Sequence, residues 1–279
     1  MLATLVQNEL VKIFSKWRSY IGFLAIAALI PLVLWGISKT GPAFERDVTR
    51  SLSGGLMVVG SVLNGFLATY LIMNFLWVHI PFLIALVAGD VIAGEGTSGT
   101  FRIYLIRPVS RTRIVIAKLF ATFLYTILLI GFFALMSLGL GSIWLGTGDL
   151  VVFHQGVLVL PEHMVWGRFI LAFLFAAGAM CVVAALCFMF SSMVTNAIGP
   201  IIGAMSVIII GLAISTIPID WFANIRPYIF TTYFDIWQMV FYDPIPWDQI
   251  GKSLLVLGLY AAGFMGVSYT IFVRKDILS

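Results

Sequence analysis

Apolar residues run along this chain in long blocks, interrupted by short polar clusters. A helix needs about 20 apolar residues to cross a bilayer. Six blocks are on that scale: Tyr20–Ile37, Phe66–Ala93, Ile114–Trp144, Phe169–Phe190, Ile198–Ile217 and Leu254–Val273. Apolar sequence already begins near Gly54, so the second block is long enough to suggest two spans. The first 18 residues, MLATLVQNELVKIFSKWR, follow a different pattern. Leu2, Val6, Leu10, Ile13 and Trp17 fall near one helical face, and Asn8, Lys12 and Lys16 near another. That predicts an amphipathic helix lying on the inner membrane surface. Glu9, Lys12 and Lys16 interrupt the apolar run of a signal peptide.

Charge decides between one span and two before Ala93. With six spans and the N-terminus inside, ten basic residues lie on cytoplasmic segments and six on outer ones. This is the expected positive-inside bias. An extra span would move the Arg-rich stretch after Ala93 to the outside. Residues Gly54 to Asn64 are therefore expected as an outer extension or a helix lying at the surface.

Composition supports this class. The chain is 61% hydrophobic and 10% charged, with a mean hydropathy of +1.09, whereas soluble domains carry about 25% charged residues. The expectation is an all-α integral membrane protein with six transmembrane helices, forming one domain over residues 1–279. The net charge of +4 fits loops facing an acidic membrane surface. No basic patch with interleaved aromatics points to nucleic acid.

Several chemistries find no support. Gly251-Lys252-Ser253 resembles the end of a phosphate loop, but Pro246 stands where its first glycine belongs. His79, His154 and His163 are scattered, Cys181 and Cys187 lie six residues apart in one apolar run, and no metal site is expected. No catalytic elbow or zinc-protease pair is present, so the chain is read as a non-enzyme. Asn74 and His79 are the notable polar side chains of the spans, which argues against coupling to an ion gradient. Small residues recur at Gly199 and Gly203 and at Gly258, Ala262 and Gly266, a spacing that suits close helix packing within or between chains. Pro31, Pro81 and Pro200 are placed to start or kink helices.

The charge that the spans lack is concentrated in Ala93 to Lys118, AGEGTSGTFRIYLIRPVSRTRIVIAK. Gly94, Gly96 and Gly99 permit a tight connection, and Thr97, Ser98 and Thr100 are able to cap a helix. Phe101, Ile103, Leu105 and Ile106 form a short apolar run between Arg102 and Arg107, and Pro108 ends it. The result is a compact charged knob between the second and third spans. Topology alone would need only two or three of its arginines.

Glu95, Gly99, Thr100, Leu105, Pro108, Ser110, Arg111 and Lys118 resemble the signature of ABC transporter permeases of the type-2 export family. Ile103 and Tyr104 depart from it where Leu is frequent. The resemblance implies a permease in a bacterial-type cytoplasmic membrane, with both termini cytoplasmic. Two such subunits, identical or related, would pair. Separate ABC ATPase subunits would bind ATP and Mg below them, and no cofactor would sit in this chain. Residues 94–112 would form a coupling helix that docks on the ATPase. Glu95, Arg102, Arg107 and Arg111 would make polar contacts there, with Phe101, Leu105 and Ile106 as buried anchors. Glu9, Leu10, Lys12 and Lys16 of the amphipathic helix would lie beside it. The output would be export of a substrate. The alternative is a mechanical transmitter or scaffold, driven by an ATPase and acting on an extracytoplasmic partner without moving cargo.

The outer side offers two candidates for such contacts. Residues 218–250 are rich in Trp, Tyr and Phe, as suits a membrane boundary or an exit gate. The moderately polar loop Gly146 to Met164 is able to meet an extracytoplasmic protein.

Overall fold

The structure, a computed structural model, describes residues 2–52, 63–97, 110–153 and 157–274. Most of the chain is helical. Helix α1 (Leu2–Phe14) turns at residues 15–17 into α2 (Arg18–Leu52). Three shorter helices follow: α3 (Gly65–Leu76), α4 (Ile80–Ala88) and α5 (Asp90–Thr97). The next long rod consists of α6 (Arg111–Ala134), a π-turn (Leu135–Gly139) and α7 (Leu140–Leu145). After a β-hairpin come α8 (Glu162–Met193), α9 (Ile198–Thr216), the short α10 (Asp220–Ala223) and α11 (Trp247–Arg274). Between α10 and α11 lie 3₁₀ segments at Arg226–Tyr228 and Phe230–Phe241.

Five helices are long and apolar enough to cross a membrane, or six if the bent pair Gly65–Leu76 and Ile80–Gly96 counts as one span. These coincide with the six apolar blocks. The bend of 56° has a covalent cause. Pro81 lies at the start of α4 and has no N–H for the carbonyl of Trp77, four residues back. Of Gly54 to Asn64, expected as an outer extension or a helix lying at the surface, only Leu63 and Asn64 are among the described residues.

Helix α8 is the central post. It is apolar on all sides, the pattern of a helix enclosed by others. Of its most apolar stretch 61% is buried, against 11% for α11. Helices α4, α5, α6, α9, α11 and the outer 3₁₀ helix all pack on it. Near its N-terminal end Arg168 reaches into the aromatic segment. Its guanidinium donates to the carbonyls of Val240 (2.8 Å) and Tyr242 and pairs with Asp243 (3.2 Å). The 3₁₀ helix is thereby fixed against the post, with Trp237 and Phe241 buried beneath it.

The all-helical expectation holds except in the outer loop. Strands β1 (Leu150–Phe153) and β2 (Val157–Leu160) pair antiparallel, with Leu150 opposite Leu160 and Phe153 opposite Val157. Leu150, Val152 and Leu160 are buried against the helices. Asn64 joins this hairpin to the second span. Its Oδ1 accepts from the N–H groups of Phe66 and Leu67 (both 3.0 Å), which caps α3, and its Nδ2 donates to Asp149 O (2.7 Å).

Gly65 and Gly141 allow α3 and α7 to touch backbone to backbone. A Cβ on Gly65 would lie 2.4 Å from the carbonyl carbon and oxygen of Gly141. Gly65→Ala is therefore expected to cost about 1–3 kcal/mol and to lower the thermal midpoint of the detergent-purified protein. Gly131→Ala, where a Cβ meets nothing within 4 Å, should leave the midpoint unchanged or raise it.

Candidate functional site

The end of the bundle where α1 packs holds a buried ion cluster. Lys118 lies two turns into α6, and its side chain is 1% exposed. Its Nζ is 2.7 Å from Glu9 Oε2 of α1 and 2.7 Å from Glu95 Oε1 of α5, and it also donates to Val91 O at 3.3 Å. Lys12 lies across the same acids, 2.7 Å from Glu9 and 3.3 Å from Glu95. Beside this group Asp90 accepts from Lys16 (2.7 Å) and Arg18 (2.9 Å) at the α1–α2 corner. Three carboxylates and four cations thus join α1, the start of α2, α5 and α6.

Burial at each position follows from packing. Helix α1 lies chiefly against α6, with Glu9 and Ile13 on the inward face. Glu9 and Lys12 are one turn apart, so they meet on that face. Tyr125 of α6 donates to Ser19 O (3.0 Å), and the Ser19 hydroxyl donates to Ile13 O. These bonds hold the α1–α2 corner against α6.

A second polar device sits at the break between α4 and α5. Ser191 of α8 donates to Gly89 O (2.6 Å) and accepts from the N–H groups of Ile92 (3.1 Å) and Ala93 (2.9 Å). One hydroxyl thereby uses its donor and both of its acceptor positions. It satisfies backbone groups at a break that apolar surroundings would otherwise leave unpaired.

Glu9 shows which effect wins in the cluster. Burial pushes its carboxyl up, but the charge and hydrogen bond of Lys118, joined by those of Lys12, bring it below the ordinary value of 4.5. The ionised form is thus the one the fold favours. The Lys118 pairs are buried, whereas Lys12 has 44% of its side chain exposed. Exposed pairs contribute little, so Lys118 carries the larger share.

The residues expected at a partner interface are distributed as follows. Glu9, Lys12 and Lys16 point into the ion cluster, and Leu10 is half-buried. Glu95 is 8% exposed and paired within the chain. Arg111 Nη1 donates to Val273 O in the last turn of α11 (3.0 Å), where a cation offsets the negative end of the helix. Ser110 is the N-cap of α6 and is exposed. Gly99, Thr100, Phe101, Arg102, Leu105, Ile106, Arg107 and Pro108 lie outside the described residues.

Two of these findings correct the sequence reading. The spans were expected to lack ionisable groups, yet Asp90 and Lys118 lie within the second and third apolar blocks and are buried. Helix α1 is also not simply amphipathic, because Glu9 lies on its buried side. The spacing of Glu9 and Lys118 carried no warning, since 109 residues separate them. The available signal was Lys118 itself, a cation inside an apolar run.

Apolar helices around a central post, with an ion cluster locking the N-terminal helix to the second and third spans, define a helical, membrane-type protein. The chain belongs to the family described as "Protein of unknown function (DUF2705)", which matches residues 21–278. It is also similar to a protein of Bacillus subtilis (strain 168) named "Uncharacterized protein YhcI". The two are 27% identical over 201 residues, which is 69% of this chain and 63% of that protein. The chain therefore spans less than two thirds of the length of this curated relative.

Removing one partner of a buried pair strands the other charge and costs about 3–5 kcal/mol. Lys118→Met should therefore lower the thermal midpoint far more than Lys12→Met. Because the folded pKa of Glu9 is depressed, its contribution is present above pH 4.5 and is lost as pH falls through the lower, folded value. Thermal midpoints measured from about pH 6 down to about pH 3 should fall in the acid range, and Glu9→Gln should reduce that slope.

Proposed function

We propose that the chain is the transmembrane subunit of an ATP-driven exporter of the ABC type-2 class. In this reading it pairs as a dimer in a cytoplasmic membrane, with both termini on the cytoplasmic side and six spans, the bent helix pair serving as the second. Separate ATPase subunits bind ATP and Mg and dock on residues 94–112. The observation that carries the reading is the position of the ion cluster. It lies at the base of both helices that flank residues 98–109 and ties α1 to them.

The mechanism follows from that linkage. An ATPase pair that closes on ATP exerts force on whatever docks with it. Arg102 and Arg107, with Phe101, Leu105 and Ile106, supply charge and apolar anchors for docking. Glu95 and Lys118 act one step back, as positioning residues. They make α5, α6 and α1 move as one body, so displacement at the docking segment reaches the spans rather than being lost in a loose hinge. The bend at Pro81 and the Ser191 bridge to α8 then determine where that displacement is absorbed. Energy enters through contacts that differ between the ATP-bound and free states.

The test is co-purification with whichever ABC ATPase is encoded nearest to this chain, scored by ATP hydrolysis in lipid. Arg107→Glu and Leu105→Asp are expected to abolish the complex. Lys118→Met is expected to leave the complex formed but to separate hydrolysis from the response to the permease. If the wild-type chain captures no ATPase, the exporter reading fails.

A further inference from the structure

A 3₁₀ helix has three residues per turn, so every third residue shares a face. In the outer 3₁₀ helix Thr231, Phe234, Trp237 and Val240 form the buried face. Thr232, Asp235 and Gln238 share the next face round. Thr232 is tied to Ser215 of α9 (3.0 Å). Gln238 Nε2 donates to Asn74 Oδ1 of α3 (3.0 Å), and Asn74 Nδ2 donates to Tyr70 O (2.8 Å). Asp235 lies between Thr232 and Gln238 and is exposed. It has no hydrogen bond or ion pair among the described residues.

Asp235 lies in an aromatic-rich stretch, close in sequence to Phe234, Trp237 and Phe241. Burial by neighbouring chain raises its pKa, so the carboxyl is reachable yet poorly hydrated. Tyr242 feels the charge of Asp235, and Tyr70, one turn before Asn74 on α3, packs on Trp237 and Phe241 of the 3₁₀ helix. On the adjoining face of α3, Leu71 and Phe75 are exposed. A carboxylate with no cation among the described residues, beside an amide carbonyl and aromatic rings, is the chemistry that recognises an organic cation. The apolar rim suits a cation with a hydrophobic body.

We propose that Asp235, with Gln238 and Asn74 beside it, binds an amphiphilic organic cation between the outer 3₁₀ helix and the second span. The carboxylate supplies the countercharge, the Gln238 carbonyl accepts hydrogen bonds, and Tyr70, Phe75 and Tyr242 offer ring faces to the apolar body. The site deepens the exporter reading by giving its cargo a chemical class, and it rests on that reading only for the word cargo.

Binding of tetraphenylphosphonium is measured on the purified full chain in phosphatidylglycerol nanodiscs, without any ATPase. Empty discs are subtracted, and tetraphenylborate serves as the size-matched anion. The expected result is saturable binding of the cation and not of the anion. Affinity should fall about tenfold or more in Asp235→Asn, recover in Asp235→Glu and be unchanged in Asp248→Asn. Absence of saturable binding, or equal binding by wild type and Asp235→Asn, overturns the proposal. A disulfide between two copies of Gln238→Cys also overturns it, because a second chain would then cover the ridge. Loss of binding on adding phosphatidylethanolamine overturns it in favour of a lipid ammonium headgroup. Since no ATPase is present, a failed transporter complex and a failed ligand site give separate results.

Discussion

Lys118 is the group on which the inner half of the molecule depends. An ammonium group taken out of water incurs several kcal/mol of desolvation, and only close countercharges offset it. Glu9 and Glu95 stand at 2.7 Å on either side, and they come from helices that a hydrophobic contact alone would leave free to slide. Apolar packing is non-directional. An ion pair at this distance is not, because separating the helices would leave a charge uncompensated in an apolar setting. The cluster thus converts three adjacent helices into one body, and Asp90 extends it to the α1–α2 corner.

The outer half uses the same device more sparingly. Arg168 is buried near the outer end of α8, and its guanidinium meets two backbone carbonyls and Asp243. Those carbonyls belong to the end of a 3₁₀ segment, where the regular ladder leaves acceptors unpaired. One long cation therefore fixes an irregular segment to the central post. Asn64 does comparable work for α3 and the β-hairpin, using both ends of one amide. Between these two layers runs the bent span. Its break at Pro81 separates a segment pinned on the outside from one locked on the inside.

That arrangement gives the proposed activity a physical route. The ion cluster sits beside the proposed docking segment, and the polar ridge at Asn74, Gln238 and Asp235 sits on the other half of the bent helix pair. The bend lies between them. On that proposal, the break at Pro81, between the ion-paired end and the end fixed by Asn64, is where imposed motion would be absorbed.

The six apolar blocks were legible because hydropathy is a local property and membrane helices must be continuous. The break at Pro81 was legible for a similar reason, since a missing N–H acts within one turn. The aromatic outer segment could be located, but its three-residue period could not. The buried face at Thr231, Phe234, Trp237 and Val240 depends on what packs beneath it, and α8, α9 and α11 decide that. Glu95 read as an exposed partner contact because charge next to glycines usually faces water, and only the arrival of Lys118 and Lys12 turned it inward. Glu9 read as a residue of an interfacial helix beside a partner, and the packing of α1 on α6 made it a buried acid. The sequence by itself determined which segments are apolar helices and which carry charge, because those preferences are set by each residue and its near neighbours. Tertiary structure alone decided which charges meet, because Glu9 and Lys118 lie 109 positions apart and no local rule pairs them.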